Sequence, residues 1–192
     1  IHDKPSLTAW PSHVVQLGQH VELRCDSHSD SYIFKLYKEH GDPISQFHDR
    51  IFQESLNLGP VTPAYGGTYR CCNYNHQCPN ELSVHSDPLN IIVSGSYKKP
   101  SLPSLMGPVV MSGENMTLTC ISDHQFDMFH LSREGMPQGH GLPAVQSHNG
   151  TFQANFLLGP VIQKGNYRCY GSFKNSSHVW SSPSEPLYLP VT

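Results

Sequence analysis

The sequence has 192 residues, a length that suits one large or two small domains. Its 12 basic and 15 acidic residues give a formal net charge of −3, which excludes the basic field that nucleic-acid binding needs. No run of about 18 apolar residues occurs, so we expect no membrane span in this stretch. An initiating methionine and an apolar signal segment are both absent, and we expect a mature secreted fragment or a trimmed receptor ectodomain.

Short strands are predicted along the chain where apolar residues alternate with polar ones. The alternating segments are, in chain order, residues 21–25, 89–93, 116–120, 152–158 and 187–191. No segment has the period of a long amphipathic helix. Glycine (15) and proline (16) are plentiful, as in chains whose many strands are joined by turns. The fold class is therefore expected to be all-β.

Two cysteine pairs end in the same short sequence motif. Cys71 follows Cys25 by 46 residues, Cys169 follows Cys120 by 49 residues, and a tyrosine stands two residues before each second cysteine. In immunoglobulin-like sandwiches, a tyrosine at this position packs in the core and ties its hydroxyl to the backbone of the preceding corner. The pattern predicts two sandwiches, each with a disulfide that stabilises it by ~4 kcal/mol in the chain-entropy treatment.

The two halves of the chain repeat each other. Residues 4–7 return as 99–102, residues 18–25 as 113–120, and residues 58–61 as 158–161. Two copies indicate tandem domains, because a solenoid needs more repeats to close its core. We expect domain one over residues 1–95 and domain two over residues 96–192. A bent interdomain hinge is favoured over a mobile elbow without a fixed angle, since Val93 and Tyr97 offer apolar surface at the junction.

The type of sandwich follows from a missing tryptophan. Antibody-type domains carry a core tryptophan on strand C. Eleven residues after the first cysteine of each half, this chain has Leu36 and Leu131 instead. We therefore expect two C2-like domains and exclude variable-type ones.

The remaining two cysteines, Cys72 and Cys78, lie across a predicted hairpin. We expect a small disulfide between them, because the two strands of a hairpin are within disulfide reach. A free thiol or an intermolecular bridge is the alternative in an oxidising compartment. A zinc site that adds His76 is less favoured, since three ligands at this spacing fit a structural tetrahedron poorly.

Three N-glycosylation sequons begin at Asn115, Asn149 and Asn175, all in the second half of the chain. We expect them to carry N-linked glycans at least in part, because the chain has the cysteine pattern of an extracellular protein.

No enzyme signature occurs. The chain lacks a nucleophile elbow, a His-Glu-x-x-His zinc motif and a phosphate-binding glycine loop. Asp49, Glu54 and Asp127 are interpreted as solvated or loop residues. We therefore expect a binding protein with no catalytic residues, no cofactor and no metal.

Several longer sequence segments resemble those of a known receptor family. Residues 9–12, 36–39 and 50–52 resemble the outermost domain type of the killer-cell immunoglobulin-like receptors, and residues 126–135 and 149–154 resemble their membrane-proximal domain type. Leukocyte immunoglobulin-like receptors are similar more distantly. The resemblance implies an outermost and a proximal domain without the middle domain of three-domain members. It also implies a receptor in the membrane of natural killer or other lymphoid cells, with its domains outside the cell.

The resemblance implies MHC class I or MHC-like molecules as ligands. In members that bind class I, acidic and aromatic side chains of the proximal domain's B–C and F–G loops meet basic residues of the ligand. Asp127 holds the acidic B–C position, and the F–G loop carries Lys174 and His178 beside the Asn175 sequon.

The candidate ligand contacts lie on the C–C′ and E–F loops of domain one and the B–C and F–G loops of domain two. They are Phe47, Tyr65, Phe126, Asp127, Lys174 and His178. Phe47 is either a binding anchor or an aromatic tucked under its own loop. The alternative partner is a non-MHC cell-surface protein, nectin-like or B7-like, bound through domain one.

Overall fold

In the computed structural model, the described residues are 4–27, 33–40, 50–74, 78, 84–103, 113–160 and 162–191. The chain divides into two compact units, Ile1–Val93 and Ser94–Thr192. Within the described residues, helical structure is confined to two 3-10 segments, Pro63–Tyr65 and Lys174–Ser176. No helix in that part of the chain has the length and apolar character needed to cross a bilayer. The all-β prediction is confirmed.

The first unit consists of two sheets that enclose one core. Its strands are β1 (Ser6–Trp10), β2 (Val14–Gln16), β3 (Val21–Asp26), β4 (Ile33–His40), β5 (Arg50–Gln53), β6 (Ser55–Leu58), β7 (Gly67–Asn73) and β8 (Leu89–Ser94). One sheet has the order β1-β3-β6 and the other β2-β8-β7-β4-β5. In β3 the buried Val21, Leu23 and Cys25 alternate with more exposed residues. This period of two turns one face of the strand into the core.

The second unit repeats the arrangement. Its strands are β9 (Met116–Ser122), β10 (Met128–Arg133), β11 (Met136–Pro137), β12 (Leu142–Pro143), β13 (Val145–Gln146), β14 (Phe152–Leu158), β15 (Gly165–Ser172) and β16 (Leu187–Leu189). The three-stranded sheet has the order β13-β14-β9, and the five-stranded sheet joins β11-β10-β15-β16 with β12 paired to β10. The last strand was predicted to reach Val191, but it ends at Leu189. Pro190 follows, and proline has no N–H to donate to a ladder.

A disulfide joins the two sheets of each unit. Cys25 on β3 is bonded to Cys71 on β7, with Cα atoms 6.5 Å apart, and Cys120 on β9 is bonded to Cys169 on β15, with Cα atoms 6.0 Å apart. Opposite the second cysteine, the cross-strand neighbours are Leu36 and Leu131, both buried. Leucine thus occupies the core position on strand C where antibody-type domains have tryptophan.

The tyrosine corner is present in both units. The buried Tyr69 donates its hydroxyl to the carbonyl of Tyr65 at 2.6 Å, and Tyr167 donates to the carbonyl of Gln163 at 2.6 Å. Burial raises the pKa of both tyrosine hydroxyls, because the phenolate would lose its hydration inside the core. Each hydroxyl therefore stays a hydrogen-bond donor at neutral pH and fixes the chain entering the strand that carries the second cysteine.

Candidate ligand-binding surface

The B–C and F–G loops of the second unit are joined by Asp127. Its carboxylate Oδ2 accepts the backbone N–H of Lys174 at 2.7 Å, and its own N–H donates to the carbonyl of Ser172 at 2.9 Å. Lys174 opens the 3-10 segment Lys174–Ser176, so the carboxylate caps an N–H that has no partner within that short helix. Both side chains are exposed. Two exposed residues 47 positions apart, one acidic and one basic, are thus joined by a side-chain-to-backbone hydrogen bond.

His178 lies in the same F–G loop, which Trp180 anchors. The indole N–H of Trp180 donates to the carbonyl of Ser177 at 3.0 Å, and the N–H of Val179 donates to the carbonyl of Ser176 at 3.1 Å. His178 is partly exposed. The sequon residue Asn175 is exposed in this loop too, next to Lys174. The structure therefore places Asp127, Lys174, Asn175 and His178 on two adjacent loops of the second unit.

Phe126, by contrast, offers no contact surface. It is only 2% exposed and its ring lies 5.2 Å from that of Phe173, 5.9 Å from that of Phe129 and 6.2 Å from that of Tyr97, between ring centroids. A Cβ built on Gly171 would come within 2.4 Å of the Phe126 ring, so the absence of a side chain there makes room for it. The expectation that Phe126 contacts a ligand is corrected: it is a core residue.

Tyr65 is corrected in the same way. It is 7% exposed, belongs to the core of the first unit and supplies the carbonyl of the tyrosine corner. Phe47 lies outside the described residues, so it remains a sequence-based prediction.

The outward face of the five-stranded sheet of the first unit carries exposed apolar residues, and of these the sequence had singled out only Tyr74, as a loop aromatic that is either a binding anchor or tucked under its own loop. Ile33 on β4, Ile51 on β5 and Tyr74 beyond β7 are all large and exposed. Between them, Lys35 pairs across the sheet with Ile51 on one side and Cys72 on the other. The period of two that buries Phe34 and Phe52 also turns their neighbours outward, so alternation alone could have identified Ile33 and Ile51.

Cys72 is bonded to Cys78 beside this face. All six cysteines belong to the described residues, and none is free. Lys35 donates its ammonium to the carbonyl of Cys78 at 3.1 Å, which ties the small loop to β4. Because both sulfurs are in the disulfide, they cannot serve as thiolate ligands in the zinc site considered as an alternative. His76, the third ligand of that zinc site, lies outside the described residues. Across the described ranges, no three His, Cys, Asp or Glu side chains converge as a metal site would require.

A second aromatic arrangement was also not anticipated. The ring of His130 is stacked on that of Trp180 with centroids 4.0 Å apart, and its Nε2 is 2.8 Å from the hydroxyl of Ser172. Tyr170 adds a third ring, 5.2 Å from Trp180. Burial lowers the pKa of His130 to about 4 and raises that of Tyr170, so both rings stay uncharged at neutral pH. This cluster supports the base of the F–G loop.

The family model and the related sequences agree with this architecture. The immunoglobulin domain family matches residues 11–84 and 107–182. Killer cell immunoglobulin-like receptor 3DL1 of Rattus norvegicus is 45% identical over 292 residues, which cover 99% of this chain and 69% of that protein. The receptor of the same name from Mus musculus is 44% identical over 293 residues, covering 99% of this chain and 67% of that protein. The solved human OSCAR ligand-binding domain is 32% identical, covers 98% of this chain and 99% of its own, and has a TM-score of 0.44.

Identity of this degree across almost the whole chain decides the family and the functional class. The aligned stretches exceed the 192 residues of this chain by roughly the length of one immunoglobulin domain. The matched relatives are immunoglobulin-like receptors, which are not enzymes. The chain belongs to the killer cell immunoglobulin-like receptor family and forms the paired immunoglobulin domains of an immune cell-surface receptor.

Proposed function

We propose that this receptor binds MHC class I or an MHC-like molecule on other cells, from the membrane of a natural killer or related lymphoid cell. The observation that carries the proposal is the exposed carboxylate of Asp127 at the family's acidic B–C position, held by the backbone of Lys174 at 2.7 Å. A carboxylate fixed in this way is preorganised to meet a basic residue of the ligand, which lowers the entropy that docking would cost.

The charges nearby define which ligands fit. Lys174 is exposed one hydrogen bond away from Asp127, so the loop pair presents both signs of charge. Such rim charges chiefly tune the association rate and exclude partners with like charge opposite. The proposed ligand therefore has a basic residue facing Asp127 and an acidic or neutral one facing Lys174. A contact surface of this kind suits the weak to moderate affinity of receptors that act between cells.

The test is surface plasmon resonance with the full chain, made in mammalian cells, over a panel of MHC class I molecules. Asp127→Asn removes the charge but keeps an oxygen that can accept the Lys174 N–H. We expect it to lower the association rate several-fold at low salt and to weaken the salt dependence. Glu114→Gln is the control, because Glu114 is an exposed acid just before β9 on the other sheet. Equal effects of the two variants would contradict a role for Asp127.

A second candidate partner is favoured by the apolar face of the first unit. Exposed Ile33, Ile51 and Tyr74 beside the Cys72–Cys78 disulfide provide a stiffened apolar surface of the kind that protein interfaces use. A nectin-like or B7-like cell-surface protein would bind there. If no class I molecule binds, a library of cell-surface ectodomains is screened, and Ile51→Ser should then abolish binding while Leu17→Ser, a change of another exposed apolar residue, should not.

A further inference from the structure

The outward face of the three-stranded sheet of the second unit lacks charge. Strands β9, β13 and β14, all described, contain no acidic or basic residue. Their outward side chains include Thr117, Thr119, Gln153 and Asn155, and two large apolar ones stand among them: Leu157 is 71% exposed and Val145 is 64% exposed. This face therefore presents only neutral polar and apolar groups.

The equivalent sheet of the first unit is an internal control. Its strand β3 carries Glu22, Arg24 and Asp26 where β9 has Thr117, Thr119 and Ile121, and Arg24 is paired with Glu22 at 3.0 Å. The residue equivalent to Leu157 is the exposed Asn57. The first-unit sheet also has no sequon. Of the two equivalent sheets, the uncharged one is therefore in the unit that has the glycosylation sequons.

One sequon lies at each end of this face. Asn115 immediately precedes β9 and is exposed, and by the strand period it faces outward with Thr117. Thr117 pairs with Leu157 across the sheet. Asn115 is therefore the diagonal neighbour of Leu157, at a distance of about 7–8 Å. Gly159, with a φ of 120°, stands beside Asn115, and a Cβ there would lie 2.6 Å from its Oδ1. The backbone at this corner therefore leaves room for the asparagine.

Asn149 lies at the other end, in the turn between β13 and β14. Its Oδ1 accepts the hydroxyl of Thr151 at 2.8 Å, the N–H of Thr151 at 3.3 Å and the hydroxyl of Ser147. These bonds use the oxygen, so the amide nitrogen, to which a sugar attaches, takes no part in them. The turn directly follows β13, where exposed Val145 pairs with Gln153.

We propose that N-linked glycans on Asn115 and Asn149 cover this face, with the first sugars on Asn115 packed against Leu157 and those on Asn149 against Val145. The apolar face of a sugar ring then replaces water over the two side chains, while its hydroxyls meet the neutral threonines and amides. In each transfer, the amide Nδ2 bonds to C1 of the sugar of a lipid-pyrophosphate-linked oligosaccharide. The C1–O bond breaks, the lipid pyrophosphate leaves with the electron pair, and the amide loses one proton. The glycans thereby prevent other proteins from contacting this sheet.

The test uses the full chain secreted from mammalian cells. Glycopeptide mass spectrometry should find sugar on both Asn115 and Asn149, and an unmodified Asn115 or Asn149 would overturn the proposal. Hydroxyl-radical footprinting should then show Leu157 several-fold less oxidised in the glycosylated protein than after enzymatic removal of the glycans from the folded chain. Asn115→Gln should reproduce this exposure, whereas Asn175→Gln, which removes a sequon on another loop, should leave Leu157 unchanged. Equal oxidation with and without the glycan would overturn the proposal.

A measurement of self-association distinguishes a glycan that covers this face from a protein that binds to it. The glycan-free chain should associate in sedimentation velocity, and Leu157→Asn, which restores the residue type of the first unit, should reverse that association. If the fully glycosylated chain already self-associates and Leu157→Asn abolishes it, a second copy occupies the face and the proposal is wrong. Association of the glycan-free chain that Leu157→Asn leaves unchanged would equally contradict it.

Discussion

Single residues show that two neighbours in the sequence can take opposite roles, one in the core and one at the surface. Phe126 and Asp127 are neighbours in sequence, yet the ring is enclosed by Phe129, Phe173 and Tyr97 while the carboxylate reaches the F–G loop. In a loop without a regular period, sequence alone cannot tell which of the two points inward. The same limit applied to Tyr65, whose burial follows from the corner it helps to form.

His130 provides a prediction at this scale. Its pKa is lowered by burial to about 4 from an ordinary 6.5, so the folded protein keeps it neutral where the unfolded chain binds a proton. The stability it contributes is present above pH 6.5 and is lost as the pH falls toward 4. His130→Phe cannot titrate, so the native chain should lose up to about 3 kcal/mol relative to this variant between pH 6.5 and 4.

Urea unfolding of both proteins at several pH values in this range measures the difference. His148→Phe is the control, because it makes the same substitution at an exposed histidine. Parallel stability curves for the native chain and His130→Phe would show that the ring is not held neutral by burial.

Strands and sheets were the best-predicted scale. The alternation in residues 21–25, 116–120 and 152–158 became β3, β9 and β14, with the predicted apolar residues facing the core. The repeat extends to contacts that the sequence did not reveal. Ser86 accepts the N–H of Cys71 at 2.9 Å, and its counterpart Ser184 accepts that of Cys169 at 2.8 Å. These hydroxyls bind the segment before each last strand to the strand that holds the second cysteine.

The packing of Phe126 on β15 gives a prediction at the element scale. Gly171→Ala puts a methyl group 2.4 Å from the ring, and because this core is closely packed we expect a loss of about 1–3 kcal/mol in the free energy of unfolding. Phe126→Leu should also destabilise, by opening space. In the double variant the methyl group fills part of that space, so its loss should be smaller than the sum of the two single losses. Additive losses in denaturant unfolding would show that the two positions are not in contact.

At the scale of the whole molecule, three disulfides contribute to the free energy of unfolding. Cys25–Cys71 and Cys120–Cys169 close separations of 46 and 49 residues, whereas Cys72–Cys78 closes only 6. Because longer loops lose more entropy on closure, the paired change Cys25→Ala with Cys71→Ala should cost ~4 kcal/mol and Cys72→Ser with Cys78→Ser ~2 kcal/mol. Chemical unfolding checks this order.

Peptide mapping without reduction should find the three bridged pairs and no alkylated cysteine, and any reactive thiol would contradict the pairing.

The sequence by itself determined the two sandwiches, their cysteine pairs, their tyrosine corners and their family, because these features are encoded in short periods and in phrases that repeat. The tertiary structure alone decided which residues meet at the surface and in the loops. It joined Asp127 to Lys174 across 47 positions, buried Phe126 and Tyr65, and placed Leu157 between two sequons. Alternation specifies that a side chain leaves one face of a strand, but only the pairing of strands and the fold of loops specify which other side chains it then meets.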